Sequence, residues 1–243
     1  MKQIFFTKVI CGIELRSDPA REAAFEVVDL HSQLRQFSGT SAESQREKLH
    51  REFNNEIQSL EIAAQSIAEY PEAPWDLRMQ LARQCWDETR HARLCLQRVI
   101  EKGGFKGEFP ILNQEWGVVC MQDSIEARLA VQNRTFEAGS MEVFRQSIEQ
   151  WKVLGDEKTA EVMETILADE VQHVRYANEW LKKISRENPR TLLKVAQAMD
   201  YLKRVNAALS AGSPQHSIEN RPGERKEAGF SDQEIARIIR EEL

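Results

Sequence analysis

Helix breakers are scarce in this sequence: 11 glycines and 7 prolines in 243 residues, about 7 per cent together against an average near 12 per cent. That shortage argues for long helices. No apolar run approaches the roughly 18 residues needed to span a bilayer. Lys8 splits Ile4-Phe5-Phe6 from Val9-Ile10-Cys11-Gly12-Ile13, so no leader core of adequate length is expected. Cysteine is confined to positions 11, 85, 95 and 120 with no C-x-x-C pair, which leaves out zinc ribbons and rubredoxin-type iron sites. Positive charge is short as well, 33 basic against 39 acidic side chains for a net −6, which disfavours general nucleic-acid binding. A cytoplasmic protein with no membrane association is expected.

What is present is the composition of a folded domain, 41% hydrophobic and 30% charged. Residues 4–13 read as a strand or extended arm, and 22–34 carry a weak helical pattern. Thr40-Ser41-Ala42-Glu43 is a capping box that opens a helix from Ser41 to about Tyr70, before Pro71. Pro74 opens a second helix that runs to Gly103-Gly104, and the stretch through Phe105, Phe109 and Pro110 reads as a longer crossing loop. One third helix is predicted from Trp116 to Trp151. Gly155-Asp156 is a stop followed by an N-cap, starting a fourth helix to about Ile184, and Pro189 opens a fifth to about Leu209. Ser210 to Phe230 reads as a tail wrapping the surface. Ser231 and Glu234 then cap a terminal helix with Ile235, Ile238 and Ile239 on one face.

Two pairs of long helices around a longer connection is the layout of a four-helix bundle with one crossover, as in ferritin-like folds. The predicted class is therefore all-α, with 1–39 as an N-terminal arm packing on the bundle, 40–184 as the bundle, and 185–243 as a C-terminal helix, wrapping tail and terminal helix.

The core-facing seams contain residues that packing alone does not explain. At alternating spacings of four and three, the first helix reads Leu49, Phe53, Glu56, Leu60, Ala63, Ile67. The second reads Leu81, Cys85, Glu88, Ala92, Cys95, Val99, and the fourth Met163, Leu167, Glu170, Val174, Ala177, Leu181. The third gives Glu137, Met141, Phe144, Ile148, Trp151 and is the weakest seam, because Asn133 and Arg134 fall on its N-terminal half. A buried ionised carboxylate costs several kcal/mol unless it is paired or bound to a cation. Four converging ones imply that something positive sits between them.

The remaining ligands are named by a motif that occurs twice, Asp87-Glu88-Thr89-Arg90-His91 and Asp169-Glu170-Val171-Gln172-His173. Glu and His three apart lie on one helix face. Glu47-Lys48-Leu49-His50 lacks the preceding Asp, and His50 reads as a packing or surface residue. Glu56 precedes Glu88 by 32 residues and Glu137 precedes Glu170 by 33, while the two motifs stand 82 apart, so a hairpin pair would present all four Glu in one layer. Glu61 and Glu142 give shorter separations and are the alternatives. Glu56 and Glu137 from two helices, with Glu88/His91 and Glu170/His173 from the others, is the di-iron carboxylate ligand pattern. The four charges balance two divalent ions, and oxygen and imidazole donors suit two irons or an iron–manganese pair. Metal-bound imidazoles usually give their second N–H to a carboxylate; Asp169 is expected to orient His91 and Asp87 to orient His173.

At these residues the chain resembles the ferritin-like superfamily. More narrowly, residues 49–61 (LHREFNNEIQSLE), 71–92 (PEAPWDLRMQLARQCWDETRHA) and 227–230 (EAGF) look like a bacterial ferritin-like family catalogued only as a domain of unknown function, the likeness covering about 40–230. That family is expected to carry a His before the first ligand Glu, where this chain has Asn55. The resemblance implies one of several activities: ferroxidase, peroxide-reducing protein, radical-generating subunit, or hydroxylase or oxidase. The first expectation is an oxygen-activating di-iron enzyme acting on a small organic molecule, with dioxygen as co-substrate, an external electron donor and a homodimer as a compatible assembly. Glu56, Glu88, His91, Glu137, Glu170 and His173 are its metal and catalytic residues, with Glu137 as a carboxylate that shifts beside the substrate pocket. A ferroxidase or peroxide-consuming metal-handling protein is the alternative. A transfer-RNA hydroxylase is a third, minor reading, which would need a basic face from Lys182, Lys183, Arg186, Arg190 and Lys194.

Overall fold

The computed structural model describes residues 5–35, 37, 39–209 and 223–241, without the side chains of 239–241. Ile4, most of the wrapping tail (210–222) and the side chain of Ile239 lie outside the described residues.

The structure is mostly helical. Helix α1 (Ala42–Glu69) begins where the Ser41 hydroxyl accepts the Ser44 N–H, so the cap is Ser41 and not Thr40. Helix α2 (Trp75–Glu101) packs along α1 and ends at Gly103, whose φ of +82° closes the last turn. Asp156 caps α6 (Glu157–Glu187) by accepting the Thr159 N–H. Helix α7 (Thr191–Leu209) follows, and after the undescribed stretch come the short α8 (Gly223–Glu227) and α9 (Asp232–Glu241). The Ser231/Glu234 capping box is formed reciprocally, and Ala228, Phe230 and Ile235 bury themselves against the α5–α6 side of the core. Among the described residues, no helix is long and apolar enough to cross a membrane.

The single third helix predicted from Trp116 to Trp151 is broken. Helix α3 (Gln114–Val119) stops, and Ser124, in an extended conformation, caps a new helix α4 (Ile125–Val131) by accepting the Ala127 N–H. The chain then widens into a π-helical turn (Gln132–Glu137) before α5 (Ala138–Val153). The start and stop are made by a serine cap with no Gly or Pro, so a reading based on breakers passes over them.

The weak helix over 22–34 is also corrected. Val27–Val28 (β3) pairs in parallel with Ile111–Leu112 (β4) of the crossing loop, and a 3₁₀ turn follows at His31–Gln33. Two β-branched residues find a strand partner there, which outweighs a faint helical pattern. Residues Thr7–Ile10 (β1) and Ile13–Arg16 (β2) form a hairpin through Cys11-Gly12, both with positive φ.

Beyond the C-terminal end of α1, a buried ion cluster ties the hairpin to α4. Glu69 accepts from Arg16 at 2.7 Å and from Arg128, whose side chain is 3% exposed. Burial pushes the Glu69 carboxyl up, but the two guanidinium groups outweigh it and hold it below the usual range. A group of that sign stabilises the fold above its unfolded pKa and loses the contribution as pH falls through the folded one. Glu69→Ala leaves Arg128 buried without its counter-charge and is expected to cost about 3–5 kcal/mol. Urea unfolding would show this as a lower midpoint at unchanged slope.

Candidate metal centre

Each of the six ligand-type side chains comes from the middle of a long helical segment, which fixes its height by backbone hydrogen bonds. Glu56 stands on α1, Glu88 and His91 on α2, Glu137 at the end of the π turn, Glu170 and His173 on α6. All are buried, at 0–4% exposure. Their donor atoms fall into two overlapping groups within 4.8 Å: Glu56, Glu88, His91 and Glu170, and Glu88, Glu137 and His173. Glu88 belongs to both.

The imidazoles present Nδ1 to this cluster. His91 Nδ1 lies 3.0 Å from Glu88 Oε2, 3.2 Å from Glu56 Oε2 and 3.8 Å from Glu170 Oε1. His173 Nδ1 lies 3.4 Å from Glu88 Oε1 and 3.6 Å from Glu170 Oε1, and it is a buried nitrogen with no hydrogen-bond partner among the described residues. Oxygen and imidazole donors crowded around an orphaned ring nitrogen fit a metal ion; the cluster could hold one.

The opposite ring nitrogens reach across the bundle. His91 Nε2 is 3.1 Å from Asp169 Oδ2, and His173 Nε2 is 3.5 Å from Asp87 Oδ2. Arg90 donates to Asp169 at 2.5 Å and to Asp87 at 3.1 Å, so it joins the two supports, and Arg83 adds a second donor to Asp87 at 2.8 Å. Neither arginine was singled out from the sequence. Asp169→Asn is expected to weaken metal binding about 10–100-fold, because an uncharged amide with a single acceptor oxygen replaces the carboxylate that orients the ring and pairs with Arg90. Competitive chelator titration would measure it.

Burial and mutual charge shift the ionisation of every group in this cluster. Burial, reinforced by Glu88 and Glu170, drives the Glu56 carboxyl far above its ordinary value; burial and Glu170 do the same to Glu137, and burial and Glu88 raise Glu170. Burial also opposes ionisation of Glu88, but His173 and His91 outweigh it and hold this carboxyl low. Burial works to neutralise both imidazoles; Glu88 in each case, with Glu170 and an aspartate, raises them instead. Asp87 is held low against its burial by His173, Arg90 and Arg83.

The weak third seam has a structural cause. Where the helix widens, Gln132 and Asn133 turn inward and donate to Glu137 at 3.4 and 2.8 Å. The Gln84 amide donates to Glu88 at 3.1 Å and also to Glu137, while its oxygen accepts from Asn133 and from the Tyr176 hydroxyl. Asn133 stood out in the sequence only as a break in the seam, and Gln84 and Gln132 were missed: Gln84 lies off the apolar seam, and its partner Glu137 is 53 residues away. Tyr176 is buried and part of this network. Single π turns inside α-helices often mark functional sites.

The alternatives stay outside. Glu61 pairs with Arg21 at 2.6 Å and Glu142 accepts from Arg225 at 2.7 Å. His50 is buried in an aromatic cluster with Phe25, Phe53 and Phe109.

A cavity of about 330 Å³ is lined by the sequence neighbours of two ligand-type residues and by none of the six themselves. Asn55, beside Glu56, and Phe136, beside Glu137, line it, and His31 of the arm and Asn206 of α7 contribute to its wall.

A family model described as a protein of unknown function (DUF455) matches residues 6–236. No curated protein and no solved structure matches the chain.

Proposed function

We propose that this chain, which belongs to the DUF455 family of unknown function, is a ferritin-like dinuclear iron oxidase or oxygenase that uses dioxygen to oxidise a small organic molecule. The observation that carries the reading is the pair of overlapping ligand groups sharing Glu88. Glu56, His91 and Glu170 would hold one ion, Glu137 and His173 the other, and Glu88 would serve both. When bound, the two ions supply dioxygen binding and two-electron redox chemistry. Four ionised carboxylates balance two divalent cations, which removes the cost of burying them.

The protein's own groups keep the ligands in register. Asp169 and Asp87 hold the second ring nitrogens, so that each Nδ1 is turned inward. Gln84, Gln132 and Asn133 donate to both oxygens of Glu137 and fix its orientation. Apolar neighbours on the same stripes, Phe53, Ala92 and Phe144, exclude water from one side of the layer. Hydroxylation balances as RH + O₂ + 2e⁻ + 2H⁺ → ROH + H₂O. The chain has no C-x-x-C electron module, so the electrons come from an external donor. The cavity lined by Asn55 and Phe136 favours an organic substrate over metal handling alone, and its acidic lining is the reverse of what phosphates of a nucleic acid require.

Anaerobic loading with ferrous iron, followed by rapid mixing with dioxygen, tests the reading. About two irons per chain should bind and be oxidised once, then need a reductant before reacting again. Repeated consumption of added ferrous iron into a mineral would support the metal-handling alternative. Uptake below about one iron per chain would remove both.

A further inference from the structure

The cavity lined by Asn55 and Phe136 has a charge and hydrogen-bonding pattern of its own. Glu47, Glu52 and Glu115 line it, and its one cationic side chain, Arg51, lies 3.5 Å from Glu47. Among the described residues, no lysine or arginine forms an ion pair with Glu52 or Glu115. Burial pushes both carboxyls up: Glu52 to about 7, with Glu170 and Glu47 adding to the shift against Arg51 and a hydrogen bond from Asn55, and Glu115 to about 8, with Glu52, Glu170 and Glu88 adding to it. A positive charge in the cavity would relieve both.

Two buried polar atoms point independently to a ligand. His50, 0% exposed, accepts the Gly107 N–H through Nε2 at 3.0 Å, so its proton sits on Nδ1, and Nδ1 has no partner among the described residues. Asn54, 3% exposed, donates its amide to the Leu112 carbonyl at 3.1 Å, and its Oδ1 has no partner. Both residues line the same cavity. A buried donor or acceptor left without a partner costs about 1–3 kcal/mol, and here one donor and one acceptor await a ligand that supplies the complements. The volume is at the lower end of the range for small-molecule sites, about 300–1,000 Å³.

We propose that this cavity binds a small organic cation, a protonated amine that also carries a hydroxyl or carbonyl oxygen, with Glu52 and Glu115 as its counter-ions. Asn54 Oδ1 accepts an ammonium hydrogen, and His50 Nδ1–H donates to the oxygen. As a substrate class, this rests on the oxidase reading above. Asn55 and Phe136, the sequence neighbours of Glu56 and Glu137, line the same cavity.

Saturation-transfer NMR and calorimetry on the full chain would test it with ethanolamine, 3-amino-1-propanol and tyramine, each against its deaminated counterpart, ethanol, 1-propanol and 4-ethylphenol. At least one amine should bind with a Kd below about 1 mM, at least tenfold more tightly than its counterpart. The doubly substituted Glu52→Gln/Glu115→Gln chain should lose at least tenfold in that affinity while keeping the metal content of the unaltered chain. Failure of every amine to bind, equal binding of the neutral partner, or unchanged affinity in the double variant would overturn the proposal. So would a double variant that binds the amine normally but takes up ferrous iron slowly, since the carboxylates would then serve the metal. Metal uptake without amine binding defeats this proposal and leaves the oxidase reading; amine binding by a chain that takes up no metal defeats the oxidase reading and leaves a cation site.

Discussion

Glu88→Ala protein is expected to retain fewer than about one metal ion per chain where the unaltered chain holds about two, and to lose the thermal stabilisation that the ions confer. Glu88 is singled out because it belongs to both ligand groups, with one oxygen 3.0 Å from His91 and the other 3.4 Å from His173. Its loss strips both ions of a ligand. Glu56→Ala should instead spare the group of Glu88, Glu137 and His173, and leave about one ion. Ligand at 1,000 times its Kd stabilises a folded protein by about 4 kcal/mol. At roughly 2–4 °C per kcal/mol for a chain of this size, the metal-loaded protein should melt about 8–16 °C above the metal-free one. Glu88→Ala should show almost none of that difference. Glu61→Ala is the control, since Arg21 holds Glu61 outside the cluster, and it should keep both ions. Elemental analysis paired with scanning calorimetry reads all four proteins. Two tightly held ions in Glu88→Ala would refute the assignment.

The gathering of Glu56, Glu88 and Glu170 was legible because each interrupts an otherwise apolar stripe, and a charge on a core-facing position has few explanations; Glu137, at the head of a mixed stripe, was found by its spacing to Glu170. Long helices have a strong period, so α1, α2 and α6 were legible to within a few residues at each end. The broken third helix was not. Its π turn depends on contacts that no local pattern encodes: the Thr135 hydroxyl donates to the Ala130 carbonyl at 2.8 Å, and Gln132 donates to Ser59 at 3.0 Å across the bundle. The same holds for Val27–Val28, whose partner strand lies more than 80 residues away in the crossing loop. Gln84 and Asn133 illustrate the limit most directly. A buried amide that positions a carboxylate looks in sequence like any surface glutamine or asparagine, and only the convergence of Gln84 with Glu88, Glu137 and Tyr176 distinguishes it.

Metal affinity should rise steeply with pH, and the metal-free fold should weaken over the same range. In the metal-free cluster Glu56, Glu137 and Glu170 are raised carboxyls and His91 and His173 are raised imidazoles. A divalent ion needs the ionised carboxylate and a neutral Nδ1, so binding expels protons. If about two leave per chain, affinity falls about 100-fold from pH 7 to pH 6, and calorimetry in buffers of different ionisation enthalpy counts them. The stability of the metal-free protein follows from the same groups with the sign worked through. Each has a folded pKa above its unfolded one, so the native state binds more protons, and its contribution is complete below the unfolded value and lost as pH rises through the folded one. The slope is about 1.4 kcal/mol per pH unit for each extra proton held. Between pH 6 and pH 8 the metal-free protein should therefore lose stability, whereas the loaded protein, its ligands already deprotonated, should stay nearly level. The melting difference between the two forms must widen with pH. A difference that stays constant, or narrows, would mean that these protons are not what the metal displaces.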